Sequence, residues 1–378
     1  MTGTESIMSP TESPIKILAI ADYLGRKNVN PIRPEAAQII AMQRSGKVDI
    51  TILCSPESVL VNYYQDHGIR VITHKVTKKL SLESIRFIRA QIRNDGYQII
   101  HLYHSRAISN GATAAIGLPV KVVAYRGQTG SIKRYDPTSY LNMLHPRIDK
   151  IICVAQAVND DLKNRLWADT DKLVTIYKGH DLSWYQDPPA DLSALDLPAS
   201  AFTISLVANP RPRKGLHVLM AATLFFPDEA DIHILLVGAK TDDPKVRQLL
   251  ATAAKPECIH PLGYRDDAPA VSGASDLIVL PTTKREGLSR AILEGMAYGR
   301  PAVVTNTGGN AELVEDGVSG YVVPPNNAKA LADAIIRLWS SPRDCENFGI
   351  EARRRIETRF NVEPGVEKTL QVYQELVS

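Results

Sequence analysis

Two α/β domains, each a doubly wound parallel sheet clothed in helices, are what this sequence predicts, and three observations carry the expectation. Short apolar runs alternate with helical stretches along nearly the whole chain, as strand–helix–strand units do. The alternation stops once, over residues 186–200 (QDPPADLSALDLPAS), where proline and small or acidic residues leave neither a helical nor a strand period, and then resumes. The 378 residues suffice for two cores of ordinary domain size.

Residues 1–14 are polar, with no positive region and no apolar core, so they are expected to form a disordered tail and not a signal peptide or anchor. The first strand is read at 15–20 (IKILAI). A long loop follows, with Gly25 and two prolines, and leads into a helix at 34–44. Long loops at the carboxyl ends of parallel strands are where such folds bind ligands. Further strands are read at 49–54, 69–73, 98–102, 120–124 and 150–154 in the first half, and at 202–208, 232–237 and 276–280 in the second.

Residues 81–93 (SLESIRFIRAQIR) repeat Leu82, Ile85, Ile88 and Ile92 at helical spacing, while Arg86, Arg89 and Arg93 fall on other faces and Lys75, Lys78 and Lys79 precede. A covering helix with a solvated face is the preferred reading. The sharper one is a basic helix in peripheral contact with an anionic inner membrane.

Composition removes several classes of function. A net charge of +3, with no aromatic platform among basic residues, argues against nucleic acid. Cys54, Cys153, Cys258 and Cys345 lie far apart, which fits reduced thiols and neither a disulfide frame nor a zinc site. No apolar run approaches the roughly 18 residues that a membrane-spanning helix needs. A cytoplasmic protein is expected, at most lying against the cytoplasmic face of a membrane.

The chemistry is expected at 280–312 (LPTTKREGLSRAILEGMAYGRPAVVTNTGGNAE). A buried strand ends at Pro281, a helix is read at 289–298, and Gly299 and Pro301 stop it before another apolar run. Glu286 and Glu294 flank the helix start with seven residues between them. On one continuous helix they would stand roughly 80° and about 12 Å apart, too far for a joint acid/base pair. They suit the two ends of an extended ligand whose phosphates lie over the helix N-terminus. A sugar nucleotide has that shape. Alone, an E-x7-E spacing is common and equally fits two solvated glutamates. Two loops join it: NPRPRKG after the 202–208 strand, where Arg211, Arg213 and Lys214 would meet a diphosphate, and Thr307, Gly308, Gly309 and Asn310, where glycines allow close backbone approach.

Taken together, ANPRPRKG, ILLVG at 234–238, LGYRDD at 262–267 and the long block at 274–325 resemble the family-4 retaining glycosyltransferases, densely in the second half and weakly in the first. The resemblance implies a GT-B fold: an acceptor domain at 15–185 and a nucleotide-sugar donor domain at 200–361, facing across a cleft, with about 362–378 crossing back to the first domain. It implies that Glu294 holds the donor ribose, Glu286 lies near the transferred sugar, Lys214 meets the diphosphate, and Leu288 and Ser289 offer backbone N–H groups. Arg211 is the preferred arginine partner, with Arg213 competing for the role, since the usual position is occupied by Asn209. Gly25 stands for the family's glycine pair and Glu35 for the acidic residue after it. Arg126 stands where histidine is expected; His101 and His104 lie on the preceding strand end, each more simply read as a core or surface residue.

The implied reaction is transfer with retention to a glycan or lipid-linked acceptor in polysaccharide, lipopolysaccharide or other glycan synthesis, with no metal and no cofactor. Asp169-Thr170-Asp171 is read as a turn and not a metal site. Two other readings are carried: a sugar-nucleotide epimerase or phosphorylase of the same fold, and a non-catalytic sugar-nucleotide binder, prompted by Arg126.

Overall fold

The computed structural model describes residues 13–22, 34–166, 170–238 and 243–378. The expected tail therefore lies, up to residue 12, outside the described residues, as does Gly25. Seven strands form the first sheet: β1 (Ile15–Ile20), β2 (Val48–Cys54), β3 (Arg70–Thr73), β4 (Ile99–Leu102), β5 (Lys121–Arg126), β6 (Lys150–Cys153) and β7 (Leu173–Thr175). Six form the second: β8 (Phe202–Val207), β9 (Ile232–Val237), β10 (Ile259–Gly263), β11 (Leu277–Leu280), β12 (Ala302–Thr305) and β13 (Gly320–Val323).

The sheet orders are β3-β2-β1-β4-β5-β6-β7 and β10-β9-β8-β11-β12-β13, and the pairing is parallel throughout both. Helices cover both faces, which is why the central strands are apolar runs: Ile17, Leu18, Ile99, Ile100, Val122 and Val123 are fully buried. Each order reverses once, at β1/β4 and at β8/β11, and the crevices at these switch points open at the carboxyl ends of the strands. β10 escapes a reading by apolar pattern because it contains Pro261 and Gly263, which an edge strand tolerates.

The helix Val362–Val377 belongs to the first core. Val366, Leu370 and Tyr373 share an apolar cluster with Ile17, Ile39 and Ile99. The Tyr373 hydroxyl lies 2.6 Å from Nδ1 of His101, so His101 is a core residue tied to the far end of the chain. The segment at 186–200 is also no loose linker, since Leu192 and Leu195 pack against Leu235 and Val237 of the second domain.

The basic segment forms the helix Leu82–Asp95, capped by the Ser81 hydroxyl and ended by Gly96 in the left-handed region. Ile88 and Ile92 are buried beneath it, and Arg89 donates to the carbonyls of Ala114 and Ile116 at 2.8 and 2.6 Å. It is a covering helix. Among the described residues no helix is long and apolar enough to cross a membrane.

Burial pushes His101 down to about 3 from 6.5, so it folds neutral but takes a proton when unfolded below pH 6.5. Its contribution is intact above pH 6.5 and is lost as pH falls toward 3. His101→Gln should therefore reduce the slope of unfolding free energy against pH in that window by about 1.4 kcal/mol per pH unit, measured by denaturant melts.

Candidate functional site

β11 delivers the chain to Pro281, and the loop beyond turns inward at Arg285, whose φ of 59° is in the left-handed region. This turn buries Glu286 to 8% exposure. A carboxylate so placed needs partners, and it has them. Lys214 Nζ lies 2.6 Å from Oε2, the Thr282 hydroxyl donates to the same oxygen at 3.2 Å, and the Gly287 N–H reaches Oε1 at 3.4 Å.

Lys214 comes from the loop after β8. Gly215 beside it has φ 80°, and a Cβ there would fall 1.8 Å from the Pro281 carbonyl oxygen, so only glycine lets the two loops touch. The Thr283 N–H donates to the Arg213 carbonyl at 2.8 Å. Of the two competing arginines, Arg213 donates to the Arg285 carbonyl at 2.9 Å and stands 4.0 Å from the Glu286 carboxylate, whereas Arg211 is exposed.

Gly308, with φ 57°, packs on the Glu286 carbonyl, and Gly309 donates to the Gly287 carbonyl at 2.8 Å. The hydroxyls of Thr305 and Thr307 both donate to the Thr282 carbonyl, at 2.5 and 3.0 Å. Three loops, those after β8, β11 and β12, thus meet at Glu286.

The helix after the loop runs Arg290–Ala297, one residue shorter at each end than the sequence predicts. Ser289 is its N-cap and makes no side-chain cap bond. Leu288 and Ser289 are buried. Glu286 thus lies in the loop and Glu294 in the helix. Glu294 is 8% exposed, pairs with Arg290 at 2.8 Å, and lines a cleft of about 340 Å³ with Asn209, Trp184, Tyr264 and Arg265. This cleft lies at the carboxyl end of β8 and β9, where a doubly wound sheet takes a nucleotide. A larger cavity of about 710 Å³, lined by Phe202, Asp276, Arg300 and Cys345, opens at the amino ends of β8, β11 and β12, away from the acidic loop.

Across the interface, β5 runs two residues beyond its predicted end and places Arg126 at the sheet's carboxyl edge. Its guanidinium donates to the Gly130 carbonyl, and burial lowers its pKa while Asp161 opposes that shift. The loop it opens touches the acidic loop directly: the N–H and hydroxyl of Thr129 both donate to the Glu286 carbonyl at 3.2 Å. Gly127 and Gly287 pass so closely that a Cβ on Gly287 would lie 2.0 Å from the Gly127 carbonyl oxygen.

A cleft of about 460 Å³ in the first domain is lined by Tyr103, His104, Tyr125, Arg126, Gln128 and Asn142. His104 is the N-cap of the helix Ser105–Ala114: its Nδ1 accepts the Ala107 N–H at 3.2 Å, leaving the proton of the neutral ring on Nε2. Burial, with Arg106 nearby, pushes His104 down to about 4. Glu35 accepts the Tyr125 hydroxyl at 2.9 Å and so braces that wall. Asp169 lies outside the described residues, and Asp171 is exposed in a turn before β7. Among the described residues no three His, Cys, Asp or Glu side chains are grouped to hold a metal ion.

Residues 201–341 match the family described as Glycosyl transferases group 1, and residues 37–184 match Glycosyltransferase Family 4. The chain is a family 4 glycosyltransferase. Its fold is GT-B: a glycosyltransferase from Rickettsia africae superposes with a TM-score of 0.80 at 21% identity, covering 97% of this chain and all of that one. Anabaena HepE in complex with UDP superposes with a TM-score of 0.77 at 20% identity, covering 96% of this chain and all of the other. In sequence it is 25% identical to the Escherichia coli UDP-Gal:alpha-D-GlcNAc-diphosphoundecaprenol alpha-1,3-galactosyltransferase, over 98% of this chain and 99% of that protein.

In this glycosyltransferase, sequence reasoning missed Thr129, whose role depends on a contact 157 residues away, and the aromatic wall of Trp184 and Tyr264. The one available signal was Tyr264 and Arg265 within LGYRDD. Gly215→Ala would force a methyl group onto the Pro281 carbonyl in a left-handed position, and should cost about 2–4 kcal/mol in denaturant unfolding.

Proposed function

We propose that this glycosyltransferase is a retaining, metal-independent hexosyltransferase that moves a sugar from a uridine diphosphate donor to a hydroxyl of a glycan or lipid-linked acceptor, in polysaccharide or other envelope glycan synthesis. The observation that carries this reading is the meeting of Lys214, Glu286 and Thr129 where the two domains touch, beside the cleft that holds Glu294. The uridine assignment draws on HepE, solved with UDP and with UDP-glucose. The acceptor assignment draws on the E. coli galactosyltransferase, named for a diphosphoundecaprenol-linked sugar.

In this scheme the nucleotide fills the 340 Å³ cleft, with Glu294 accepting ribose hydroxyls and the ring of Tyr264 or Trp184 against the base. The diphosphate runs toward Lys214 and Arg213 and the uncapped first turn of the helix Arg290–Ala297. These groups stabilise the charge that grows on the leaving diphosphate, and being fixed before reaction they need no reorganisation. Supplying that positive charge is the role a divalent metal would otherwise fill. Departure of the diphosphate and entry of the acceptor hydroxyl on the same face, with the hydroxyl proton passing to the departing diphosphate oxygen, retains the anomeric configuration. The first-domain cleft takes the acceptor, and Leu80 and Leu141 at its lining, 41% and 46% exposed, suit an acyl or prenyl chain arriving from the cytoplasmic face of a membrane.

A thermal-shift screen tests the donor: UDP at a hundred times its Kd should add about 2.7 kcal/mol of stability, with GDP and ADP giving less. An equal response to every nucleotide would overturn the base assignment. Lys214→Met should lower kcat by about 10²–10³-fold in a protein that still folds, and should also lower the melting temperature, because it leaves the buried Glu286 carboxylate without its cation. Glu294→Ala should weaken UDP binding in titration calorimetry. Transfer should persist after treatment with a chelator, and proton NMR of the product should show the donor's anomeric configuration. Donor turnover without acceptor would instead indicate an epimerase, and binding without turnover across an acceptor panel a non-catalytic protein.

A further inference from the structure

Glu312 stands outside the donor cleft, yet through it the second domain grips the first. It lies in the short helix Asn310–Leu313, which follows the Gly308–Gly309 turn. Its Oε2 accepts the N–H of Gln156 and its Oε1 that of Ala157, both at 2.8 Å. The Tyr177 hydroxyl donates to Oε2 at 2.8 Å. Gln156 and Ala157 open the helix Gln156–Lys163, whose N-cap is Ala155 and offers no side-chain bond. The free N–H groups of a first-domain helix are therefore satisfied by a carboxylate of the second domain, where the helix dipole also favours negative charge.

The surroundings place this contact between the site and the hinge. On one side, Gly309 donates to the Gly287 carbonyl, and a Cβ on Gly309 would lie 2.6 Å from that of Ala155, so the turn carrying Glu312 is the turn that packs under the acidic loop. On the other, Arg355 donates to the carbonyls of Glu312 and Leu313 at 2.9 and 2.6 Å. The Tyr177 ring meets Phe360 edge-on at 5.2 Å, and the Phe360 carbonyl accepts the His180 N–H at 2.7 Å. Tyr177 precedes the passage of the chain into the second domain, and Phe360 precedes its return.

We infer that Glu312 is a positioning residue: its carboxylate latches the two domains in the orientation that sets Thr129 on Glu286. Separating the domains must break its bonds to Gln156, Ala157 and Tyr177 together and leave a helix start uncapped. Because the two partners on that helix are backbone groups, the latch fixes direction as well as distance. Its effect on turnover rests on the transferase reading above; its effect on domain orientation does not.

The experiment uses the full chain and three variants, Glu312→Ala, Glu312→Gln and Tyr177→Phe. Small-angle scattering reads domain separation, UDP titration reads the donor cleft, and transfer kinetics read the assembled site. Glu312→Ala should enlarge the radius of gyration, leave UDP affinity unchanged, and lower kcat by about a hundredfold, the scale on which small misplacements of reacting groups act. Glu312→Gln, which keeps one accepting oxygen, and Tyr177→Phe, which removes one of three bonds, should open the molecule less and be slowed less. Wild-type scattering and kcat in Glu312→Ala would overturn the latch, as would loss of UDP affinity in step with kcat. If Glu312→Ala does not fold, an ordering of the other two variants by scattering and kcat supports the latch, and wild-type behaviour of both overturns it. Opening by scattering in a protein that transfers no sugar even as wild type would sink the transferase reading and leave the latch standing.

Discussion

Burial of the Glu286 carboxylate is the constraint from which the rest of the site follows. An ionised carboxylate at 8% exposure is unfavourable without a cation and hydrogen-bond donors close by, and only a second loop can bring the cation. Lys214 does so at 2.6 Å because Gly215 lets its loop lie against Pro281. The same closeness leaves Gly308 no room for a side chain against the Glu286 carbonyl. The glycines at these two turns are a consequence of the buried charge.

That packing then organises the domain interface. The backbone of the acidic loop is presented outward, so the Glu286 carbonyl accepts twice from Thr129 and Gly287 slides beneath Gly127. One apolar cluster passes from Ile100 and Ile151 through Leu288 and Ile292 to Ile278 and Val304, so the two sheets share part of a core at this point. The site is therefore completed by contact between domains, as fits a transferase that must bring two substrates together out of water.

Each titratable residue of the first-domain wall is held by local bonds that give it one role. His101 is bonded to Tyr373 and stacked on Tyr103, Glu35 braces Tyr125, and His104 caps a helix with the ring that lines the cleft. Arg126 presents a cation there, with Gly130 as its acceptor, and Lys79 lines the same cleft. Sequence could name these four residues; it could not say which were structural, because their partners lie up to 272 residues away.

Read alone, the sequence determined the architecture and the candidates. Apolar strand runs, helical periods and the aperiodic stretch at 186–200 follow from neighbours a few positions apart, and so do the loop after β8 and the acidic loop after β11. Tertiary structure alone decided the pairings. It brought Arg213 and not Arg211 to Glu286, packed 192–195 onto the second sheet, occupied Arg89 of the covering helix with the carbonyls of Ala114 and Ile116, and gave Glu312 a helix to cap. Such contacts depend on how two sheets twist and dock. Their partners are mostly backbone groups, which every residue carries and no sequence pattern marks.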